Sequence, residues 1–354
     1  MRAVARRWYT ASPTAVRVAL GWFRALLAPR ERLLPALGAR IGDYPRVAAS
    51  LVSAPRRLPS ARLREAAYRN VSRPFLRRMR AHLVVRVNGG GWMRVDTADV
   101  TGRTIAVTGA WEAHVTRVFS RLLSPGDVCI DVGAHVGYYT LLASRLVGPR
   151  GHVYAFEPAS AAYAELRRNL ELNGVWNVTA LNVAAGAADG RGVLYDGPPH
   201  NAGRASMQEP VNMSDDLEAR SSEVEVMRVA SVIAPEHHSR VRLIKIDVEG
   251  FEFDVLRGLE ALLDAGAQPA MLMELHPRLW AGQDPVFFEE FCARHSLEVV
   301  PLFERDRPVP IKLRDARTFR VDLLDERQDV LLTRRGVPLR SRGSTARGCS
   351  RRRE

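Results

Sequence analysis

The chain has 354 residues, 46% of them hydrophobic and 26% charged, with 26 Gly, 21 Pro and 3 Cys. Those proportions exclude a collagen, a disulfide scaffold and a wholly disordered polymer, and the length suits one large α/β domain with extensions, or two domains. The net charge of +13 is unevenly spread: residues 1–80 hold 18 Arg against Glu31, Asp43 and Glu65, residues 334–354 hold 8 Arg against Glu354, and the stretch between is acidic. A phosphate-binding stripe is therefore not expected on the body, and nucleic acid is not an expected partner.

Residues 1–80 read as an Arg-rich, partly helical extension. Within them Val16, Leu20, Phe23 and Leu27 fall on one helical face whose other side is arginine, a pattern suited to peripheral contact with an anionic membrane or to a partner protein. Arg17, Arg24 and Arg30 interrupt this apolar stretch, so neither a membrane span nor a signal-peptide core is expected. Cys129, Cys292 and Cys349 form no C-x-x-C pair. That favours a reducing cytoplasm over a disulfide framework or a thiolate zinc site.

Residues 81–123 predict a small cap: a strand from Leu83 to Val87, a turn through Asn88-Gly89-Gly90-Gly91, a strand from Trp92 to Val95, and a helix carrying Trp111, Val115, Val118, Phe119 and Leu122. From 124 to 333 short apolar runs alternate with amphipathic helices. Strands are expected at 128–131, 153–157, 178–183, 243–248, 270–275, 297–303 and 329–333, with helices at 138–146, from Pro158 to a left-handed cap at Asn173-Gly174, and along Phe253, Leu256, Leu259 and Leu263. This rhythm predicts an α/β fold with a doubly wound, mostly parallel sheet that gathers ligands at the carboxyl ends of its strands. The connection 184–242 is too long for a simple loop. Glu223 to Val229 alternates as a strand and the stretch of about 196–222 reads as a lid, whereas the pair His237-His238 reads as surface. The tail 334–354 reads as disordered.

The sharpest local motif is Asp131-Val132-Gly133-Ala134-His135-Val136-Gly137-Tyr138, where the first core strand turns into a helix. Glu157 follows at the end of the next strand, 20 residues after Gly137, placed to accept from a ribose diol. A nicotinamide dinucleotide, and hence an oxidoreductase, would use the same architecture. Its pyrophosphate, however, demands a close-approach glycine in G-x-G-x-x-G, and the positions between Gly133 and Gly137 are Ala134, His135 and Val136. S-adenosylmethionine has a ribose and no phosphate, so the spacing favours it as the cofactor.

Together with Gly109 to Glu112, Pro125-Gly126-Asp127-Val128, Phe156-Glu157-Pro158, Asn182 to Ala184, Ile244-Lys245-Ile246-Asp247-Val248-Glu249-Gly250-Phe251-Glu252 and Met273-Glu274-Leu275-His276, the run Asp131 to Thr140 resembles the FkbM family of S-adenosylmethionine-dependent methyltransferases. The resemblance covers roughly residues 81–333, in order. It implies a class I methyltransferase (Rossmann-like) fold whose seven-stranded sheet has an antiparallel last strand, and O-methylation of a hydroxyl on a sugar, glycolipid or secondary metabolite. His135 stands where the family often has Asn. On this reading Asp131, Gly133 and Gly137 form the cofactor loop, Glu157 holds the ribose, Ala184 lies near adenine, and Asp247 also borders the cofactor.

Lys245, Asp247 and Glu249 alternate with apolar residues and would share one side of a straight strand. Lys245 is expected to pair with a carboxylate. Asp247 and Glu249 are expected to face the methyl acceptor, a small molecule, glycan or lipid-linked compound. Transfer to a hydroxyl benefits from a positioned base. His276 is the first choice and Glu249 the second, with Asp247 or Glu274 orienting base or acceptor. Asp247, Glu249, Glu274 and His276 would also suit Mg²⁺, but no compact metal-ligand spacing is present, so no metal centre is expected. The remaining alternative is a non-catalytic protein of the same fold that binds a glycan or membrane partner.

Overall fold

The computed structural model describes residues 81–198, 201–208, 220–276, 279, 285–302 and 327–334. The amphipathic pattern at 13–27, the middle of the lid and the tail beyond Arg334 lie outside the described residues. The described residues divide into two compact units, one of residues 81–86 with Val95–Gly109, the other of Val87–Arg94 with those from Ala110 onward.

Strands β1 (His82–Arg86) and β2 (Trp92–Asp96) form the expected two-stranded sheet, joined through Gly89, Gly90 and Gly91, all at positive φ. Helix α1 (Val100–Thr108) was not anticipated from the sequence, because its apolar positions are few. It starts on the Asp99 side chain, which accepts from Gly102 N at 3.0 Å, and stops at Gly109, whose φ of 77° belongs to a left-handed cap.

In the second unit, α2 (Ala113–Leu122) leads to a seven-stranded sheet made of β3 (Val128–Val132), β4 (His152–Phe156), β5 (Val178–Leu181), β9 (Val241–Ile246), β10 (Ala270–Leu275), β11 (Leu297–Pro301) and β12 (Gln328–Arg334). Their order is β11-β12-β10-β9-β3-β4-β5. Pairings among β10, β9, β3, β4 and β5 are parallel, and the last strand, β12, is antiparallel to both neighbours. This is the class I methyltransferase arrangement that the sequence resemblance implied. The connecting helices are α3 (Tyr138–Val147), α4 (Ser160–Leu172), the single turn α5 (Val229–Val232), α6 (Glu252–Asp264) and α7 (Pro285–Arg294).

Both faces of the sheet are covered, and the alternation within β4 shows how. Tyr154 and Phe156 join a core with Phe253, Leu256 and Leu259 of α6 and Phe288 of α7, whereas Ala155 joins Leu141 of α3 and Leu166 and Leu170 of α4.

Several expectations need correction. The strand expected at 178–183 stops early: β5 ends at Leu181, and β6 (Ala184–Ala185), just beyond the run, belongs to a separate three-stranded sheet with β8 (Ser221–Met227) and β7 (Gly190–Tyr195). Strand β7 was missed because Gly190 and Gly192 dilute its alternation, and Ser221 and Ser222, assigned to the lid, pair with Leu194 and Tyr195. His237 is half-buried, its Nδ1 2.9 Å from the Tyr154 hydroxyl. Finally, β9 ends at Ile246, so the side-to-side alternation of Lys245, Asp247 and Glu249 stops there; Glu249 turns at a φ of 48°.

Candidate active site

The carboxyl ends of β3, β4, β9 and β10 and the start of antiparallel β12 lie along one edge of the sheet. From β3 the chain winds outward through β4 and β5, then returns to place β9 on the other side of β3. The crevice between β3 and β9 is thus a topological switch point, where such sheets bind ligands. The glycine loop, Glu157 and Asp247 all leave strands at this edge.

The loop is shaped by close approach. Gly133 has a φ of 78°, and a Cβ built on it would lie 1.8 Å from the Asp247 carbonyl oxygen. Gly137, at φ 90°, fits under Leu166 of α4, which a Cβ would meet at 2.5 Å. His135 adopts a φ of 49°, a left-handed conformation that Asn and His tolerate better than most side chains, which is the physical reason either residue serves at this position.

Glu157 is almost fully buried and locked to this loop. Its Oε2 accepts from His135 N at 2.7 Å and its Oε1 from Ala159 N at 2.8 Å. Burial pushes the carboxyl up to about 7 against the pull of those two N–H groups. Asn182 steadies the same corner, its Nδ2 donating to the Glu157 and Pro158 carbonyls at 2.8 and 2.9 Å. Asp131 is fully buried; its Oδ2 accepts from Thr140 Oγ1 at 2.6 Å, and its Oδ1 has no hydrogen-bond partner among the described residues. Ala184 is buried at the start of β6, two residues beyond Asn182.

Lys245 is the expected pairing residue. Its Nζ donates to Asp247 Oδ2 at 2.7 Å and lies 4.7 Å from the centroid of the Tyr139 ring. Burial opposes its charge, but Asp247, Asp131 and Glu112 together hold the ammonium above the ordinary lysine range. Burial likewise opposes ionisation of Asp247, and Lys245 overrides it, keeping this carboxyl below its usual value.

Around that pair the structure assembles two overlapping carboxyl groups. One oxygen each of Asp247, Glu249 and Glu274 lie within 4.8 Å of one another, and so do one each of Glu112, Glu274 and Asp329. Glu274 belongs to both. Burial, and then the charge of Asp247, pushes Glu274 up to about 11. Burial, and then Asp247, pushes Glu249 to about 7; burial, and then Asp247 and Asp329, does the same to Glu112. Arg327 pairs with Glu274 and, at 3.5 Å, with Glu112, while His114 Nε2 lies 2.8 Å from Asp329 Oδ2. A cavity of about 10 Å³, room for a single water, is lined by Glu112, Lys245, Asp247, Glu274 and Asp329.

Of the acceptor-side residues expected from sequence, Asp247, Glu249 and Glu274 come together, whereas His276 stands half-buried one residue past β10 and outside both carboxyl groups. Glu112, Arg327 and Asp329 were not recognised as site residues. The available signals were a charge at the head of the apolar run 329–333 and the position of Glu112 within the family-like motif. The lid reaches the same place: Ser206 Oγ donates to the Glu249 carbonyl at 2.6 Å, and Gly203 lies against the His135 ring, which a Cβ there would meet at 3.6 Å.

Residues 131–303 match the family described as Methyltransferase FkbM domain. Methyltransferase 1 of Beauveria bassiana is 32% identical over 144 residues, covering 37% of this chain and 57% of its own length. The 31-O-demethyl-FK506 methyltransferase FkbM of Streptomyces tacrolimicus is 32% identical over 160 residues, covering 39% of this chain and 61% of its own. The chain thus spans about three fifths of these curated relatives. Among solved structures, M. jannaschii TYW2 in complex with AdoMet aligns at 12% identity with a TM-score of 0.34, covering 71% of this chain and 84% of that one. Among the described residues no helix is long and apolar enough to cross a membrane.

Proposed function

We propose that this chain, whose residues 131–303 match the family described as Methyltransferase FkbM domain, transfers a methyl group from S-adenosylmethionine to a hydroxyl of a sugar, glycolipid or secondary metabolite. The observation that carries the reading is the meeting of Gly133 with Asp247, which brings the cofactor loop and the acceptor-side carboxylates to one crevice.

The residues fit the cofactor. The Glu157 carboxyl is aimed and pinned by two backbone N–H groups, yet each oxygen keeps a lone pair for a ribose hydroxyl. Asp131 Oδ1 is a buried acceptor open to a further donor at the loop. Gly133 and Gly137 keep the loop close to the sheet and α4, and Ala184 and Asp247 complete the set assigned to the cofactor. Bound there, S-adenosylmethionine supplies an activated methyl group on a sulfonium.

The chain's own residues supply position and a proton acceptor. Glu249 is the base: its half-buried carboxyl is shared near neutral pH between an ionised form able to take the acceptor's proton and an acid able to hold it. Asp247, fixed by Lys245, orients the acceptor hydroxyl. His276, at the neighbouring strand end, flanks the acceptor. Methyl transfer to the hydroxyl would leave its proton on Glu249.

The test is a screen of hydroxyl-bearing sugars, glycolipids and metabolites with methyl-labelled donor, following label and formation of the demethylated donor. Label transfer to oxygen, lost in Glu249→Gln, is the expected result. Transfer to nitrogen or carbon, or no transfer although donor binds, would contradict the hydroxyl assignment.

A further inference from the structure

Resting on that reading, the proton left by methyl transfer needs a way out of a buried site, and one group outside the reacting pair is placed to provide it. Glu274, near the end of β10, lies between two sets of carboxyl oxygens, those of Asp247 and Glu249 and those of Glu112 and Asp329. Across the β10–β12 ladder it sits directly opposite Asp329, and one of its carboxyl oxygens lies within 4.8 Å of one of Asp247. Carboxyl groups crowded this closely in a buried site require that a proton be held among them. The cations facing this cluster do not remove the requirement. Lys245 is committed to Asp247 and lies near Asp131, Arg327 is divided between Glu274 and Glu112, and Arg204 stands near Glu249 at the reacting end. His114 is turned to Asp329, and the Tyr139 hydroxyl approaches Glu112 at 3.3 Å. Beyond Glu112 the cluster meets the rim, where the Arg327 side chain is 48% exposed, and the cavity of about 10 Å³ lies along the way.

We infer that Glu274 is the link in a buried carboxyl chain, Glu249 to Asp247 to Glu274 to Glu112, that passes the acceptor's proton from the reacting end to the rim. A proton arriving on Glu249 moves to Asp247 as Glu274 hands its own proton toward Glu112, so the number of protons in the chain is restored when one leaves at the rim. Glu274 and Glu112 touch neither donor nor acceptor in this scheme; they are positioning residues that act through Asp247 and Glu249.

The experiment is a carbon-13 NMR titration of the full chain labelled at its glutamate carboxyl carbons, unchanged and as Glu274→Gln, Glu112→Gln and the double variant, with Glu249 assigned by its loss in Glu249→Gln. One carboxyl should remain protonated well above neutral pH and vanish in Glu274→Gln. The Glu249 midpoint should fall in Glu112→Gln, and fall by less when position 274 is already Gln. If Glu274→Gln does not fold, the Glu112→Gln shift carries the test by itself. An ionised Glu274 at neutral pH, or a Glu249 midpoint indifferent to Glu112, overturns the relay. Titration of the same unchanged chain with S-adenosylmethionine separates the two readings: absent donor binding fails the methyltransferase assignment, whereas an uncoupled Glu249 fails the relay with that assignment intact.

Discussion

Gly133 and Asp247 are in backbone contact across the switch point of the sheet: the space a Cβ would take on Gly133 is filled, at 1.8 Å, by the Asp247 carbonyl oxygen. The loop after β3 and the exit of β9 therefore act as one piece, and the positive φ of Gly133 closes the position to any L side chain a second time.

Gly133→Ala should accordingly be among the most damaging single-methyl changes available. Backbone strain of this kind costs of the order of 1–3 kcal/mol before the clash is counted. Thermal melting should show a clear loss of stability, and donor titration a loss of affinity. An unchanged melt would mean the two loops are not held as described.

Glu157→Ala should weaken S-adenosylmethionine binding beyond what its fold change explains, because it deletes the proposed ribose acceptor and releases the His135 and Ala159 amides together. Calorimetry checks this, and normal affinity in the variant would remove the ribose assignment.

Lys245→Met leaves Asp247 and Asp131 without their shared cation in a site where Lys245 is only 5% exposed at the side chain. Breaking a buried pair from one side typically costs about 3–5 kcal/mol. Denaturant unfolding should register a loss of that order, larger than that of a distant surface substitution such as Arg191→Met.

The pH dependence of stability has a definite sign. Glu112, Glu157 and Glu249, at about 7, and Glu274, at about 11, all sit above the ordinary 4.5. Folded, they keep protons that the unfolded chain releases, so their contribution is complete below 4.5 and is lost as pH rises through 7 and, for Glu274, toward 11. Asp247 acts oppositely, being held below its usual value, and its contribution is lost only in acid. Glu274→Gln, which cannot ionise, should gain melting temperature relative to the unchanged chain as pH rises across that window. A gap that narrows with pH would reverse the assignment.

Turnover should follow Glu249. Glu249→Gln is expected to lower the rate by about 10²–10⁴-fold, and in the unchanged chain the rate should climb with pH through about 7. His276→Ala should have a smaller effect on turnover and little on donor affinity. Full loss in His276→Ala, with Glu249→Gln active, would return the base to His276.

Much of this was legible because it is local. The strand-to-helix turn at Gly133 to Gly137, the acid closing β4 and the alternation of the core strands are written in consecutive residues; their rhythm gives a doubly wound, mostly parallel sheet, and its antiparallel last strand was implied by the family resemblance. What was not legible depends on tertiary register. Glu274 meets Asp329 only because β12 enters antiparallel beside β10, and Glu112 and Arg327 approach Glu274 from segments far from it in sequence. The straight-strand reading of Lys245, Asp247 and Glu249 failed at one residue, where Glu249 takes a left-handed turn that its side-chain type gives no cause to expect. Strand β7 was hidden by its two glycines, and α1 by a cap that can be seen only once Asp99 is paired with Gly102.

The central claim is most directly tested by calorimetric titration of the full chain with S-adenosylmethionine, with its demethylated product, and with NAD. Binding of the first two, both weakened in Glu157→Ala, with no response to NAD, is the predicted result. Binding of NAD alone, or of none of the three, would contradict the account.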